Sequence, residues 1–253
     1  MSASDFLGTE SAIAILIVLL SVPLLFYALS RTRAGRRPSL RPLPALDLLS
    51  EVNGRAAESS RVLHVGLGMG GIAGPKTAVS LAGLSALEYL VDQAALSESR
   101  LVVTVADPTM LPAAQEVLRR AYARQGKFDL FSPYQVRLLA PDPTAYAAGV
   151  MDILEGEDPL ASVTIGAFAD EYLLIGETGA KKGVEQVAGT GDPAALAFMY
   201  ATADETLIGE EIFSASAYLR EDAESVAGLM VQDWWRYLVI LAIVLAVLWQ
   251  TFF

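Results

Sequence analysis

The sequence predicts an α/β protein with a Rossmann-like, doubly wound and mostly parallel sheet, flanked by an N-terminal and a C-terminal transmembrane helix. Short β-branched runs alternate with stretches of helical periodicity, which is typical of βαβ units. The first run leads into five glycines within nine residues, starting at Gly66. Two uncharged apolar runs of membrane-spanning length lie at 12–29 and 237–253.

Five apolar runs of the central region have the length and composition of buried strands: 62–65, 101–105, 136–139, 163–165 and 184–188. Helical periodicity predicts helices at about 46–56, 76–95, 112–125 and 170–183, and another that ends at about 154. Residues 195–201 fit either a helix or a strand. We expect one helix over 205–219, because Thr202 and Glu205 have the spacing of a capping box.

These patterns divide the chain into six segments. They are an extracytoplasmic N-terminus (1–11), a transmembrane helix (12–29), a basic Pro-rich linker with a short helix (30–60), the Rossmann-like α/β domain (61–220), a juxtamembrane helix (221–236) and a second transmembrane helix (237–253). The linker is expected to be stiff and extended because of its prolines, among them Pro38.

Charge around the first apolar run predicts how the chain is oriented in a lipid bilayer. Five arginines follow this run, at positions 31, 33, 36, 37 and 41, and arginines so close to a span mark the cytoplasmic side. We therefore expect both termini outside and the central domain in the cytoplasm. A cleaved signal peptide is the alternative for the first run, although Asp5 and Glu10 give it an acidic start. A buried core helix is the alternative for the second.

Composition excludes several classes of function. The formal net charge is −11, so the protein lacks the basic surface that nucleic-acid binding requires. The sequence contains no cysteine, which excludes disulfides, thiol catalysis and cysteine-ligated metals. Its single histidine, His64, lies within the first predicted strand and is expected to be a hydrogen-bonded core residue rather than a catalyst. No residue is assigned a catalytic or metal-binding role.

The glycine segment carries the main candidate binding site. Gly66, Gly68 and Gly71 match G-x-G-x-x-G between a strand and a helix, and Gly70 lies within the motif. Such glycines let the backbone approach a pyrophosphate at the start of a helix. However, no acidic residue ends a second strand about twenty residues on, where a ribose partner is expected. The alternative is a tight turn that allows close packing of helix on sheet.

Four further residues extend this candidate site. Lys76 and Thr77 follow the glycines and resemble part of the phosphate loop of nucleotide hydrolases, with altered spacing. Asp107 and Asp142 follow the second and third predicted strands, at the rim where parallel sheets bind ligands. Carboxylates there would suit a hard cation such as magnesium. The simpler interpretation is helix capping, because a proline follows each aspartate.

Three stretches, 107–126, 136–157 and 170–190, together with the flanking apolar runs, resemble a family of bacterial membrane proteins that carry a domain of unknown function. The resemblance covers residues from about 61 to 219. It implies a bacterial membrane protein, and it brings no activity and no catalytic residues. The expected location is the bacterial inner (cytoplasmic) membrane. Separately, the glycine segment resembles dinucleotide-binding domains over one strand–turn–helix unit.

The leading hypothesis is a membrane-anchored, non-enzymatic ligand-binding or scaffold module, expected to be a homo-oligomer. In this hypothesis the rim from Gly66 to Lys76 accepts a small anionic ligand or nucleotide, whose identity as a cofactor is unknown. The first alternative is an NAD(P)-dependent oxidoreductase that uses the same glycines. The second is a purely structural membrane assembly protein without a ligand.

Overall fold

The computed structural model describes residues 9–35, 41–220 and 223–252. The basic segment 36–40, with Arg36, Arg37 and Pro38, and most of the expected extracytoplasmic N-terminus lie outside the described residues. The chain forms two compact units, one of residues 41–219 and one of residues 1–40 with 220–253.

The larger unit alternates strands and helices along its whole length. Its strands are β1 (Leu63–Gly68), β2 (Leu101–Val105), β3 (Val136–Leu138), β4 (Ala161–Ala167), β5 (Glu185–Thr190) and β6 (Glu205–Ile208). The helices are α2 (Pro44–Ser59), α3 (Thr77–Ser97), α4 (Met110–Arg124), α5 (Pro143–Gly156), α6 (Tyr172–Lys182), α7 (Pro193–Thr202) and α8 (Glu211–Arg220); α1 and α9 belong to the other unit. Residues 195–201, for which the sequence allowed either a helix or a strand, lie in helix α7.

All strand pairs in the six-stranded sheet are parallel, and the strand order is β3-β2-β1-β4-β5-β6. Every residue of β1, β2 and β4 is buried, as expected for central strands covered by helices on both faces. The predicted fold class is therefore confirmed: an α/β domain with a parallel, doubly wound sheet. It has this strand order in common with dinucleotide-binding domains.

Two apolar layers cover the sheet. One contains side chains of α2, α3, α4 and α8, including Leu49, Leu87 and Leu118. The other contains side chains of α5, α6 and α7, including Tyr146, Ile175 and Met199. Helix α2, which precedes the first strand, therefore contributes directly to the core of the α/β unit.

The predicted single helix over 205–219 is wrong. Residues 205–208 form the edge strand β6, which pairs with β5 in the register Val187↔Glu205 to Thr190↔Ile208. Gly209 then adopts a φ of 58°, which favours glycine and separates the strand from α8. The supposed capping box fails because Thr202 is the last residue of α7 and Glu205 the first of the strand.

The smaller unit pairs helices α1 (Thr9–Arg33) and α9 (Ala223–Phe252). Thr32 Oγ1 donates to the Ala223 carbonyl at 3.0 Å, whereas Trp235 Nε1 donates to Ser21 Oγ at 2.9 Å, so the helices run antiparallel. Both are long and apolar enough to cross a membrane, over Ile15–Arg33 and Ala223–Thr251. The expected juxtamembrane helix and second apolar run are one continuous helix.

Candidate functional site

The glycine turn lies where the order of the strands reverses. The chain leaves β1 toward β2 and β3, then returns to place β4 on the other side of β1. In open parallel sheets, the crevice outside the carboxyl ends of two such strands is the usual ligand site. Here that crevice lies between the turn after β1 and the turn after β4, where Gly68 pairs with Ala167.

Three of the four motif glycines are buried, and neighbouring atoms leave little room for a side chain at these positions. A Cβ on Gly68 would lie 2.5 Å from the Ala167 carbonyl oxygen, and the φ of this glycine is 72°. A Cβ on Gly70 would lie 2.2 Å from Ser80 Oγ. Gly66 is packed less tightly, with its Cβ position 3.1 Å from the Thr164 methyl carbon. Close packing at the end of β1 therefore accounts for these positions without a ligand.

The third glycine of the motif does not open the helix as in a short dinucleotide loop. Helix α3 begins six residues after Gly71, at Thr77. Close contact between this helix and the sheet is made instead by Gly83, whose Cβ position is 2.4 Å from the Ile165 carbonyl oxygen. The segment between Gly71 and the helix is consequently free to form an exposed rim.

Asp107 lies against this turn. It follows β2 by two residues, and its Oδ2 is 2.6 Å from the Cβ position of Gly71. Its Oδ1 accepts a hydrogen bond from the Thr109 amide at 2.7 Å and another from the Thr109 hydroxyl. An acidic residue at the end of the second strand is the group that holds a ribose in dinucleotide-binding domains. The long helix α3, with 21 residues, moves this aspartate away from the expected sequence distance.

The exposed rim runs from Ile72 to Lys76 and is held by threonines. Thr77 Oγ1 accepts from the Gly74 amide at 3.1 Å and lies 2.7 Å from the Gly74 carbonyl oxygen. Thr109 Oγ1 accepts from the Ile72 amide at 3.1 Å, which ties the rim to the Asp107 turn. Thr77 therefore shapes the turn, while the exposed Lys76 stands at the N-cap of α3.

Several backbone amides of this turn have no hydrogen-bond acceptor among the described residues. Within the described part of the chain, the N–H groups of Gly70, Gly71, Ala73 and Lys76 donate to no acceptor. Together with the first turn of α3, these donors and the Lys76 ammonium group suit an anion. Pro75 lacks an N–H, as the sequence indicated.

A chain of buried polar side chains connects the central strands beneath the turn. His64 Nδ1 lies 2.8 Å from Ser162 Oγ, and its Nε2 lies 3.0 Å from Thr104 Oγ1. Thr104 Oγ1 is 3.1 Å from the Tyr146 hydroxyl, which accepts from the Gly68 amide at 3.3 Å. The expectation that His64 is a hydrogen-bonded core residue is confirmed.

Burial shifts both titratable groups of this chain toward their neutral forms. It lowers the pKa of His64 to about 3, with a smaller contribution from the positive charge of Arg137. It raises the pKa of Tyr146 to about 12, and the negative charge of Glu171 adds to that rise. The hydrogen-bonded side chains of His64 and Tyr146 are therefore uncharged at neutral pH. They support the glycine turn through the bond from the Gly68 amide to the Tyr146 hydroxyl.

Asp142 is placed differently from Asp107. It follows β3, which is separated from β1 by β2, and its Oδ1 accepts from the Ala145 amide at 2.9 Å. Asp192 caps α7 in the same way, through the Ala194 amide. Capping thus accounts for both carboxylates. In the described residues, no three histidine, aspartate or glutamate side chains are grouped so that they would hold a metal ion.

Glu171 was missed by sequence reasoning. This residue follows β4 by four positions, is 5% exposed, and has one carboxylate oxygen without a hydrogen-bond partner. A charged residue at a strand–helix junction is ordinarily solvated, so no local pattern marks it as buried. It lies in the connection between β4 and α6, which begins beside the glycine turn because Gly68 pairs with Ala167.

Strand order, the glycine turn and Asp107 together define a Rossmann-type α/β domain. The chain matches, over residues 2–253, the family described as "Domain of unknown function (DUF6754)", and it belongs to that family. No curated protein matches the chain. No solved structure matches it either. The expected membership of a family that carries a domain of unknown function is confirmed.

Proposed function

We propose that this protein is a membrane-anchored, non-enzymatic binding module that accepts a small anionic ligand of the nucleotide class. The observation that carries the proposal is the position of the glycine turn, at the reversal of strand order and against Asp107. The unpaired amides of the turn and Lys76 provide donors for a phosphate. The Asp107 carboxylate provides an acceptor for hydroxyl groups, which a bare anion lacks.

A direct test uses the purified full-length protein in detergent. Mass spectrometry identifies any nucleotide that copurifies, and thermal shifts are measured with ADP, ATP, NAD⁺, NADP⁺ and pyrophosphate. We expect a saturable shift with at least one nucleotide. The absence of any bound species and of any shift would contradict the proposal.

Lys76 offers a matched pair of variants for the same assay. Lys76→Gln removes an exposed positive charge beside the turn, and we expect it to weaken nucleotide binding by about tenfold. Lys182→Gln removes an exposed charge from the last turn of α6 and serves as the control. Equal affinities of the two variants would place the phosphate elsewhere.

An NAD(P)-dependent oxidoreductase is the second candidate, and the position of Asp107 beside Gly71 favours it. The buried neutral His64 is a poor proton donor or acceptor for a substrate, since its ring nitrogens contact Ser162 and Thr104. Binding of NAD⁺ in clear preference to ADP, with reduction of NAD⁺ by an oxidisable small molecule of a protein-free cell extract only when the purified protein is present, would favour the enzyme. Binding without turnover supports the module.

We further propose that α1 and α9 span the bacterial inner membrane, with both termini outside and the α/β domain in the cytoplasm. The antiparallel pairing of two apolar helices supports this arrangement, and so do Arg31 and Arg33 in the last turn of α1. Because the chain has no cysteine, Lys182→Cys introduces one exposed thiol for labelling in intact cells. Labelling by a membrane-impermeant reagent without lysis would contradict the topology.

A homo-oligomer is part of the same proposal, in which copies associate through the lipid-facing surfaces of their apolar helices. These helices expose many large apolar side chains, among them Phe26 and Leu241. A scaffold without ligand, the purely structural alternative, would also self-associate. Light scattering in detergent measures the copy number, and a monomer at all concentrations would remove this part of the proposal.

A further inference from the structure

The Glu171 side chain is buried, and only one of its two carboxylate oxygens has a hydrogen-bond partner. Its Oε1 accepts a hydrogen bond from the Ala169 amide at 3.0 Å. Its Oε2 is buried and has no partner in the described part of the chain. Glu171 occupies the N-cap position of α6, yet it makes no side-chain hydrogen bond to the helix amides. Helix capping therefore does not account for the unpaired oxygen, and such a group requires an explanation.

The position of this carboxylate relates it to the glycine turn. Glu171 lies in the connection between β4 and α6, and β4 is paired with β1 up to Gly68 and Ala167. The Ala167 carbonyl at the end of β4 accepts a hydrogen bond from the Met69 amide of the glycine turn at 2.8 Å. The connection that carries Glu171 therefore begins directly beside the glycine turn.

Two carboxylates flank a group of unpaired amides in this arrangement. Asp107 lies on the β2 side and Glu171 on the β4 side of the turn. A carboxylate repels phosphate and accepts hydrogen bonds from hydroxyl or amine groups. A ligand that satisfies both kinds of group carries an anionic part and hydrogen-bond donors together, as a nucleotide does.

We infer that Glu171 Oε2 accepts a hydrogen bond from a hydroxyl or amine group of the ligand, so that the site selects a nucleotide over a bare phosphate or pyrophosphate. This inference rests on the proposed function and deepens it. Glu171 is then a specificity-determining residue in the connection between β4 and α6. The anionic part of the ligand binds the turn, and its donor group binds the β4 side.

The test compares ADP with inorganic pyrophosphate on the full-length protein in detergent. Glu171→Gln keeps an oxygen for the Ala169 amide and replaces the unpaired acceptor with an N–H donor. We expect ADP affinity to fall tenfold to a hundredfold, while pyrophosphate affinity stays within about twofold. Asp170→Asn, which changes an exposed carboxylate one position earlier, is the matched control and leaves both affinities unchanged.

A stability measurement on the unliganded variant separates this role from a structural one. Glu171→Gln removes a buried charge, so its melting temperature without ligand is expected to equal or exceed that of the wild type. Lower stability together with unchanged ADP affinity identifies a structural role and overturns the inference.

The binding outcomes also distinguish the two levels of the proposal. Wild-type protein that binds pyrophosphate as tightly as ADP, or a Glu171→Gln variant that keeps full ADP affinity, overturns the inference and leaves the anion site standing. Wild-type protein that binds neither probe overturns both.

Discussion

The single histidine makes the stability of the α/β domain depend on pH in a defined window. Burial lowers the pKa of His64 from 6.5 to about 3, so the folded protein keeps the imidazole neutral at pH values where the unfolded chain protonates it. The unfolded state then binds more protons, and the free energy of unfolding falls as the pH drops below about 6.5. The full effect is reached near the folded pKa.

The size of this effect follows from the shift. Each pH unit within the window costs about 1.4 kcal/mol, so a change from about pH 6.5 to about pH 5 removes roughly 2 kcal/mol. Carboxylates contribute at lower pH: the arginines beside Glu116 lower its pKa to about 2, and the stability it provides is lost only as the unfolded carboxylates protonate below about pH 4.5. Above about pH 5 the unfolded carboxylates are mostly ionised, so the histidine dominates the pH dependence there.

The perturbation is His64→Gln, which retains one donor and one acceptor but cannot be protonated. Urea unfolding of the full chain is followed by circular dichroism at several pH values between about 5 and 7.5. We expect the variant to be less stable at neutral pH and to lose most of the pH dependence in this range. An equal dependence of the free energy of unfolding on pH in wild type and variant would refute the burial of a neutral His64.

Selective labelling provides an independent check, because one histidine gives one imidazole signal. In ¹⁵N-histidine NMR spectra, His64 is expected to remain neutral down to about pH 5. Titration of that signal near pH 6.5 would mean that the side chain is exposed to solvent. The buried hydrogen-bonded side chains from Ser162 through His64 to Tyr146 would then be wrong.

Backbone and capping substitutions test the remaining packing relations by urea unfolding. Gly68→Ala is expected to lower the free energy of unfolding by about 3 kcal/mol, because of left-handed backbone strain and a clash with the Ala167 carbonyl. Gly126→Ala, at a similar φ but in open space, is expected to lower it by about 1 kcal/mol, and equal losses would contradict the clash. Gly83→Ala is expected to lose about 2 kcal/mol, whereas Gly54→Ala, an exposed helix position with no close neighbour, gains about 0.5 kcal/mol; a neutral Gly83→Ala would contradict the close packing. Asp142→Ala is expected to lose about 1 kcal/mol, Asp142→Asn much less, and neither to change ADP affinity; weaker ADP binding would assign this aspartate to the site.

Much of the fold was predictable because central strands of a parallel sheet are apolar on both faces. The runs that became β1, β2 and β4 stand out for this reason, and the glycine turn marks the first crossover. Strand β6 was missed because it is a four-residue edge strand with exposed and half-exposed positions at Glu205, Thr206 and Ile208. Such a strand acquires its conformation from pairing with β5 rather than from its own pattern.

The site was predictable only in part, since it depends on distances across the sheet. The motif identified the turn after β1, but local sequence does not say whether a glycine serves a ligand or a neighbour such as Ser80. Asp107 was noted at the wrong distance because the length of α3 separates residues that the parallel pairing of β1 and β2 brings together. Glu171 is buried in the connection between β4 and α6, and this burial depends on tertiary packing that no local pattern encodes.

Photoaffinity labelling with an azido-adenine analogue of ADP reports the location of the ligand directly. On the full-length protein, we expect labelled peptides from the segments 71–77, 107–109 or 168–171, and we expect excess ADP to abolish the labelling. Labelling confined to α1 and α9, or labelling that excess ADP does not reduce, would contradict a nucleotide site in the crevice between β1 and β4.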